Sequence, residues 1–215
     1  MSDGLGGGRL AGLYAITPDE PDEPTLLAAA GAVLAGGARL LQYRDKTGNA
    51  GRRLRLAQAL LKMCRQHAAT FIINDDWQLA GQIGADGVHL GSTDGDLSAV
   101  RQQLPAGSIL GASCYASFDL AQKAVAAGAD YVAFGAVFLS PTKPLAVRAP
   151  LDLFSRCRQE LSVPSCAIGG ITLENAAPVI AAGASMLAVI TDIFEAPDIA
   201  GRTSAYQSLF EESCQ

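Results

Sequence analysis

The segment from residue 42 to residue 46 places two cations on one face of a predicted strand end. Side chains alternate along a strand, so Gln42, Arg44 and Lys46 point one way, while Tyr43 and Asp45 point the other way. A guanidinium beside an ammonium suits a phosphate or diphosphate, because it offers a planar fork next to a point charge. The alternative is a frayed strand end whose charges lie in water, and this motif alone does not decide between the two.

Carboxylates follow two neighbouring predicted strands further along the chain. Asp75 follows one strand and Asp94 follows the next, so both can converge on one cation. Mg²⁺ prefers oxygen ligands and often binds one or two carboxylates together with substrate phosphates. Each residue could instead cap the helix after it, although Asp76 and Asp96 are better placed for capping. With cations close by, the sequence favours a magnesium–diphosphate site.

The elements that must position these residues repeat along the chain. Short Ala/Gly phrases recur at residues 35–38, 84–86, 127–130 and 182–184, each after a helical stretch and before an apolar strand. Eight buried parallel strands are predicted at residues 10–17, 39–44, 70–74, 87–91, 109–114, 131–137, 165–169 and 186–190. Helices are predicted at residues 25–34, 52–66, 77–83, 97–103, 118–126, 151–160, 173–181 and 201–210.

These units predict a single-domain α/β protein, a (β/α)₈ TIM barrel over residues 9–215, preceded by a flexible tail over residues 1–8. The rival is an open doubly wound sheet, which usually has a Gly-rich turn after its first strand, and this chain has none there. Loops after strands seven and eight of a barrel often bind phosphate through backbone N–H groups. Gly170 is predicted to open the seventh helix and Thr191 follows strand eight, so a second phosphate site is expected there.

Two further features limit the chemistry. His89 lies within an apolar strand and is predicted to be a packed, hydrogen-bonded residue, not a catalyst. No Ser-His-Asp or Cys-His arrangement is visible in the sequence. The sequence therefore offers no recognisable activated nucleophile.

Composition excludes several classes of function. The net charge of −5 over 215 residues argues against nucleic acid as a partner. The five cysteines are scattered without a CxxC pair, which is typical of reduced thiols and not of disulfides or zinc sites. The longest uncharged run, at residues 26–38, is too short to span a membrane, and the first residues lack a signal-peptide pattern. We expect a cytoplasmic protein that acts on small molecules; its oligomeric state is not predicted.

Six phrases, in this order, resemble the thiamine phosphate synthase family, which joins the pyrimidine and thiazole halves of the vitamin. The resemblance runs from Leu13 to about Ile193. The phrases are Tyr14-Ala15-Ile16-Thr17, Gln42-x-Arg44-x-Lys46, Ile73-Asn74-Asp75, the run from Gly84 to Gly91, Phe134-Gly135 leading to Ser140-x-Thr142-Lys143, and Ile168-Gly169-Gly170-Ile171.

The resemblance implies a reaction and a set of site residues. It implies that 4-amino-2-methyl-5-hydroxymethylpyrimidine diphosphate condenses with 4-methyl-5-(2-phosphoethyl)thiazole to give thiamine phosphate and pyrophosphate, with Mg²⁺ as cofactor. The pyrimidine diphosphate would be bound by Gln42, Tyr43, Arg44, Asp45, Lys46, Asn74, Ser113 and Lys143. Of these, the catalytic residues would be Arg44, Lys46, Ser113 and Lys143. Asp75 and Asp94 would hold the metal, and the thiazole phosphate would be bound by Ser140, Pro141, Thr142, Gly170, Ile190 and Thr191.

The chain departs from the family pattern at a few positions. Ser92 stands where Gln is usual, and Ala136, Leu139 and Ser140 replace two frequent prolines and a frequent threonine. The nearest rival is the related thiazole tautomerase, which carries a His where this chain has Tyr115. A phosphate-binding epimerase barrel would leave the cation pair unexplained. Outside the enzymes, the alternative is a non-catalytic barrel that binds thiamine precursors and regulates a partner.

Overall fold

The computed structural model describes residues 8–20, 22–138 and 148–212. Its eight strands form a closed barrel in which each strand pairs with the next one and β8 pairs in parallel with β1. The strands are β1 Gly12–Ile16, β2 Leu40–Tyr43, β3 Thr70–Asn74, β4 Gly87–Leu90, β5 Ile109–Tyr115, β6 Tyr131–Gly135, β7 Ser165–Ile168 and β8 Met186–Val189. The predicted (β/α)₈ barrel is confirmed.

Helices alternate with the strands around the outside of the barrel. They are α1 Glu23–Ala35, α2 Ala50–Gln66, α3 Trp77–Ile83, α4 Leu97–Gln103, α5 Phe118–Ala126, α6 Asp152–Glu160, α7 Ala176–Ala181, α8 Thr191–Phe194 and α9 Ile199–Glu212. Within the described ranges, no helix combines the length and the hydrophobicity needed to cross a membrane.

In the last third of the chain one prediction is wrong and one short helix was missed. Helix α7 begins at Ala176, so Gly170 lies in the loop before it and does not open the helix. Asn175 folds that loop, because its Oδ1 accepts from the N–H of Thr172 at 2.9 Å and its Nδ2 donates to the Gly170 carbonyl at 2.9 Å. The single-turn helix α8, directly after β8, was not predicted either, since one turn is too short to show a helical period.

Side-chain alternation divides the apolar residues into two clusters. One cluster fills the barrel interior and includes Tyr14, Leu40 and Tyr131. The other lies between the strands and the helices and includes Leu41. Because Leu40 faces inward, Gln42 at the same parity faces inward as well, which agrees with the alternation predicted from the sequence. Strand parity therefore decides which polar side chains reach the interior and the mouth of the barrel.

Of the four aspartates that follow β3 and β4, two cap helices and two do not. The Asp76 carboxylate accepts from the N–H of Leu79 at 2.9 Å and caps α3. The Asp96 carboxylate accepts from the N–H of Ser98 at 3.0 Å and caps α4. The preferred capping residues are confirmed, and Asp75 and Asp94 are left for another role.

Candidate active site

The C-terminal ends of β2, β3 and β4 bring charged side chains together. Asp75 directly follows β3, and its N–H donates to the carbonyl of His89 on β4 at 2.8 Å. Its backbone has a φ of 65°, an uncommon value for a residue with a side chain. In this conformation the Asp75 carboxylate contacts the Lys46 ammonium. Asn74, the last residue of β3, pairs in register with His89 and is half-buried.

Both cations of the second strand end have carboxylate partners. The Arg44 guanidinium contacts Asp19, whose other oxygen accepts from the backbone N–H of Lys46 at 3.1 Å. Asp19 lies in the loop after β1 and is 41% exposed, so the pair lies open to solvent. Sequence reasoning missed Asp19, since nothing next to it in the sequence distinguishes it from an ordinary loop residue.

The carboxylates of Asp75 and Asp94 lie close enough to interact with each other. Burial raises the pKa of Asp75, the Lys46 ammonium lowers it, and Asp94 raises it again. Asp94 is fixed by the N–H of Gly91, which donates to its Oδ2 at 2.8 Å. A cation bound between two such carboxylates removes their repulsion. In the described part of the chain, no cluster of three or more His, Cys, Asp or Glu residues could hold a metal ion.

Tyr43 and Asp45 turn away from this charged group. The Tyr43 hydroxyl donates to Asp45 Oδ2 at 2.8 Å, and Arg52 of α2 donates to the same oxygen at 2.9 Å. The N–H of Thr47 donates to Asp45 Oδ1 at 2.8 Å, and the Asp45 side chain is only 2% exposed. These contacts hold the segment that carries the cations, and they keep both side chains away from the mouth.

A chain of hydrogen bonds crosses the barrel interior and ends at its mouth. Gln42 Nε2 donates to the Tyr14 hydroxyl at 2.7 Å, and the hydroxyls of Tyr14 and Tyr131 are 2.8 Å apart. His89 Nδ1 is 2.8 Å from the Tyr131 hydroxyl, and its Nε2 is 2.9 Å from Ser113 Oγ. The prediction of a packed, hydrogen-bonded His89 is confirmed, and burial lowers its pKa to about 4. The two tyrosines were missed, because tyrosine in an apolar strand is typical of core packing.

Tyr115, the last residue of β5, contacts Ser92 in the loop after β4. Their hydroxyl oxygens are 3.0 Å apart, and Tyr115 is 49% exposed at the edge of the mouth. Asp94 lies in the same loop as Ser92, so this contact ties the loop of Asp94 to the end of β5.

The loops after β7 and β8 lie beside the same mouth. Gly169 and Gly170 both have positive φ, at 102° and 63°. A Cβ on Gly169 would lie 2.7 Å from the Cα of Ala136, so only glycine fits this close approach. Ile190 packs against the interior cluster, and Thr191 begins α8 with its side chain exposed.

Four predicted site residues lie outside the described residues, namely Ser140, Pro141, Thr142 and Lys143. Among the described cysteines, Cys114 lies next to Ser113, and burial raises the pKa of its thiol to about 12. It therefore stays a protonated thiol at neutral pH and is not an activated nucleophile.

Comparison with known proteins gives consistent matches over nearly the whole chain. Residues 13–193 match a family described as thiamine monophosphate synthase. A thiamine-phosphate synthase from Aromatoleum aromaticum is 57% identical over 203 residues, covering 94% of this chain and 98% of the relative. One from Thioalkalivibrio sulfidiphilus is 55% identical over 206 residues, covering 95% and 98%. The solved structure of a thiamine phosphate pyrophosphorylase from Pyrococcus furiosus is similar, with a TM-score of 0.85, 30% identity and coverage of 95% and 96%.

Proposed function

This chain belongs to the thiamine monophosphate synthase family, and we propose that it joins its two substrates at the mouth of the barrel with the residues described above. It is a transferase of thiamine biosynthesis. The reaction of the family condenses the aminopyrimidine diphosphate with the thiazole phosphate and releases pyrophosphate.

The grouping of two cations and two carboxylates at the ends of β2, β3 and β4 carries the proposal. Arg44 and Lys46 supply positive charge, while Asp75 and Asp94 supply oxygen ligands for a metal. A diphosphate with a divalent cation is the ligand that matches both signs of charge. The cations would hold the diphosphate and stabilise the charge that develops as it departs. Lys143 would add a third positive charge.

We assign Mg²⁺ to Asp75 and Asp94. Their carboxylates fit this ion, because they are hard oxygen donors that lie close together next to the cation pair. Two protein ligands leave the remaining coordination positions to substrate oxygens and water, which is the usual arrangement for Mg²⁺. When bound, the ion supplies charge neutralisation of the leaving diphosphate.

The pyrimidine ring would lie over the inward-facing residues Gln42, Asn74 and Ser113, with the backbone around Tyr43 and Asp45 supporting the cations. The amino-substituted ring stabilises positive charge on its methylene carbon, and the thiazole nitrogen attacks that carbon. This route needs no nucleophile from the protein, in agreement with the inert thiol of Cys114 and the neutral His89.

The thiazole phosphate is assigned to the loops after β7 and β8. Gly170, Ile190 and Thr191 would contribute there, together with Ser140, Pro141 and Thr142. Positive φ at Gly170 shapes this loop, and its carbonyl is already bonded to Asn175. Backbone N–H groups are the expected phosphate donors, as in other barrels.

Replacement of Gly170 by Ala is expected to raise the KM for the thiazole phosphate about tenfold and the KM for the pyrimidine diphosphate much less. A φ of 63° costs alanine about 1–2 kcal/mol, and this strain falls on the loop that carries the proposed phosphate donors. Steady-state kinetics with each substrate varied in turn measures the effect. The matched control is Gly37→Ala, which carries a similar backbone penalty at φ 92° in the turn before β2, at the opposite end of the barrel. Equal changes in both KM values would contradict the assignment.

The rival functions differ from this proposal at particular residues. The tautomerase carries a histidine where this chain has Tyr115, whose hydroxyl is bonded to Ser92. A phenol lacks the ring nitrogen with which imidazole accepts a proton, so it is a poor substitute for a histidine general base. A regulatory barrel that only binds a thiamine precursor could use the same charged residues, so turnover is the property that separates it from an enzyme.

One assay tests the proposal directly. Purified protein is supplied with the pyrimidine diphosphate, the thiazole phosphate and Mg²⁺, and formation of thiamine phosphate and pyrophosphate is followed. We expect equal amounts of both products and no turnover when either substrate is left out. Isomerisation of the thiazole without coupling would favour the tautomerase, and binding without turnover would favour the regulatory barrel.

The remaining parts of the proposal concern the domain organisation, the partners and the location of the enzyme. Within the predicted domain of residues 9–215, we assign the described residues to one barrel; residues 1–7 of the predicted tail lie outside the described residues. The small-molecule substrates are its expected partners, with no role for nucleic acid or a membrane. A cytoplasmic location fits the free thiols of the four cysteines in the described ranges.

A further inference from the structure

The barrel interior contains two tyrosine hydroxyl groups that are not needed to fill its space. The interior cluster around Tyr14 and Tyr131 is otherwise apolar, and phenylalanine would fill the same space. A hydroxyl buried in such surroundings is unfavourable unless it is hydrogen-bonded. Here both hydroxyls belong to one continuous chain of bonds that leads from Gln42 to Ser113.

A glycine makes room for this chain. Gly111 on β5 pairs in register with His89 on one side and with Tyr131 on the other. A Cβ at Gly111 would lie 2.1 Å from Cζ of Tyr131 and 2.3 Å from its hydroxyl oxygen. The phenol of Tyr131 therefore occupies the space of a missing side chain and reaches His89, with the two rings stacked at 5.5 Å.

The hydrogens in the chain run in one direction. A phenol has a single hydrogen to donate, and so has a neutral imidazole. Gln42 donates to Tyr14, which leaves the Tyr14 hydrogen for the Tyr131 hydroxyl. With that hydrogen accepted, Tyr131 keeps its own hydrogen to donate, and the acceptor within reach is Nδ1 of His89, at 2.8 Å.

The last two bonds follow from the contacts of the His89 ring. Its Nδ1 lies 2.8 Å from the Tyr131 hydroxyl and its Nε2 lies 2.9 Å from Ser113 Oγ. Because Nδ1 accepts from Tyr131, the proton lies on Nε2 and is donated to Ser113 Oγ. The Ser113 hydrogen is thereby left for a ligand at the mouth. If the oxygen and nitrogen of the Gln42 side-chain amide exchanged places, the donor and acceptor of every hydrogen bond in the chain would be exchanged, and Ser113 would donate to His89 instead.

We propose that the two tyrosines and His89 are positioning residues that hold the Ser113 hydroxyl as a hydrogen-bond donor toward a ring nitrogen of the aminopyrimidine. The inference rests on the proposed assignment of Ser113 to the pyrimidine site. Ring nitrogens accept hydrogen bonds whereas the amino group donates them. The direction of the chain therefore selects the edge of the ring that Ser113 binds.

A double-mutant cycle tests whether these residues act through Ser113. Tyr131→Phe keeps the ring and removes one link of the chain. We expect it to raise the KM for the pyrimidine diphosphate about tenfold, the size of one ordinary hydrogen bond, and to leave the KM for the thiazole phosphate unchanged. In the Ser113→Ala background the same change should have no further effect. Tyr14→Phe breaks the chain at another link and should behave in the same way.

The matched control is Tyr206→Phe, which removes another buried hydroxyl. Tyr206 is fully buried, and its hydroxyl donates to Asp192 at 2.7 Å, outside the interior chain. Thermal unfolding should show a loss of stability similar to that of Tyr131→Phe, while the KM for the pyrimidine diphosphate stays unchanged.

The direction of the chain is measured by ¹⁵N NMR of the histidine ring. The protein has 2 histidines, and His67 is exposed, so His67→Gln leaves only the signal of His89. We expect the Nε2–H tautomer. The Nδ1–H tautomer would contradict the direction of the hydrogen-bond chain. Equal effects of Tyr131→Phe with and without the Ser113 hydroxyl would contradict the inference that the tyrosines and His89 act through Ser113. Both results would leave the assignment of Ser113 to the pyrimidine site intact, whereas an unchanged KM in Ser113→Ala would overturn that assignment and the positioning role with it.

Discussion

Asp75→Asn is expected to lower kcat about a hundredfold and to raise the Mg²⁺ concentration needed for half-maximal activity. If Asp75 holds the metal as proposed, the variant loses part of the charge that binds it, and the developing charge on the leaving diphosphate is less well stabilised. Asparagine is chosen because it tolerates the φ of 65° at this position better than alanine does. A magnesium titration of the initial rate gives both quantities, and Asp94→Asn should show the same pattern.

The neighbouring residue provides the control for this experiment. Asp76 has the same chemistry one position along the chain, but its carboxylate caps α3. Asparagine caps almost as well, so Asp76→Asn should change the free energy of unfolding by less than about 1 kcal/mol and leave kcat unchanged. Full activity of wild-type protein in excess chelator would exclude the metal role of Asp75.

Lys46→Ala is expected to slow cleavage of the bond to the diphosphate about a hundredfold in a single turnover at saturating substrate. Its ammonium would neutralise the leaving group, and this contact grows stronger as the bond breaks, so the rate falls as well as the affinity. Lys143→Ala should have the same signature if its charge acts on the same group. Rapid-quench measurement of pyrophosphate release measures the rate.

A surface lysine gives the comparison. Lys62 is exposed on α2, and an exposed charge contributes only about 0–1 kcal/mol to stability. Lys62→Ala should therefore cleave at the wild-type rate. If Lys46→Ala or Lys143→Ala does the same, that lysine is at most a binding residue.

Most of the fold could be predicted because strands and their helices leave strong local patterns. Buried parallel strands appear as apolar runs, and the Ala/Gly phrases mark where each helix ends. The two errors, at α7 and α8, come from contacts that such patterns do not contain. Asn175 closes the loop before α7 through its own side chain, and α8 is a single turn.

The candidate site was predictable where strand parity decides the outcome. Parity correctly separates Gln42 from Tyr43 and places Arg44 and Lys46 toward the mouth. Strand parity does not show which residue a side chain will contact, however. The contacts of Asp19 with Arg44 and Lys46 join residues from separate loops. The interior tyrosines were missed for a related reason: the sequence does not show which group a tyrosine hydroxyl will bond to across the barrel.

The contact between Arg44 and Asp19 has a consequence for turnover. The guanidinium already has a counter-ion, so a diphosphate that binds Arg44 as proposed would have to displace the Asp19 carboxylate. An exposed ion pair of this kind contributes only about 0–1 kcal/mol, so the displacement would cost little. After the reaction the same carboxylate would compete with pyrophosphate for the guanidinium. Under the proposed assignment, Asp19 would therefore favour departure of the charged product.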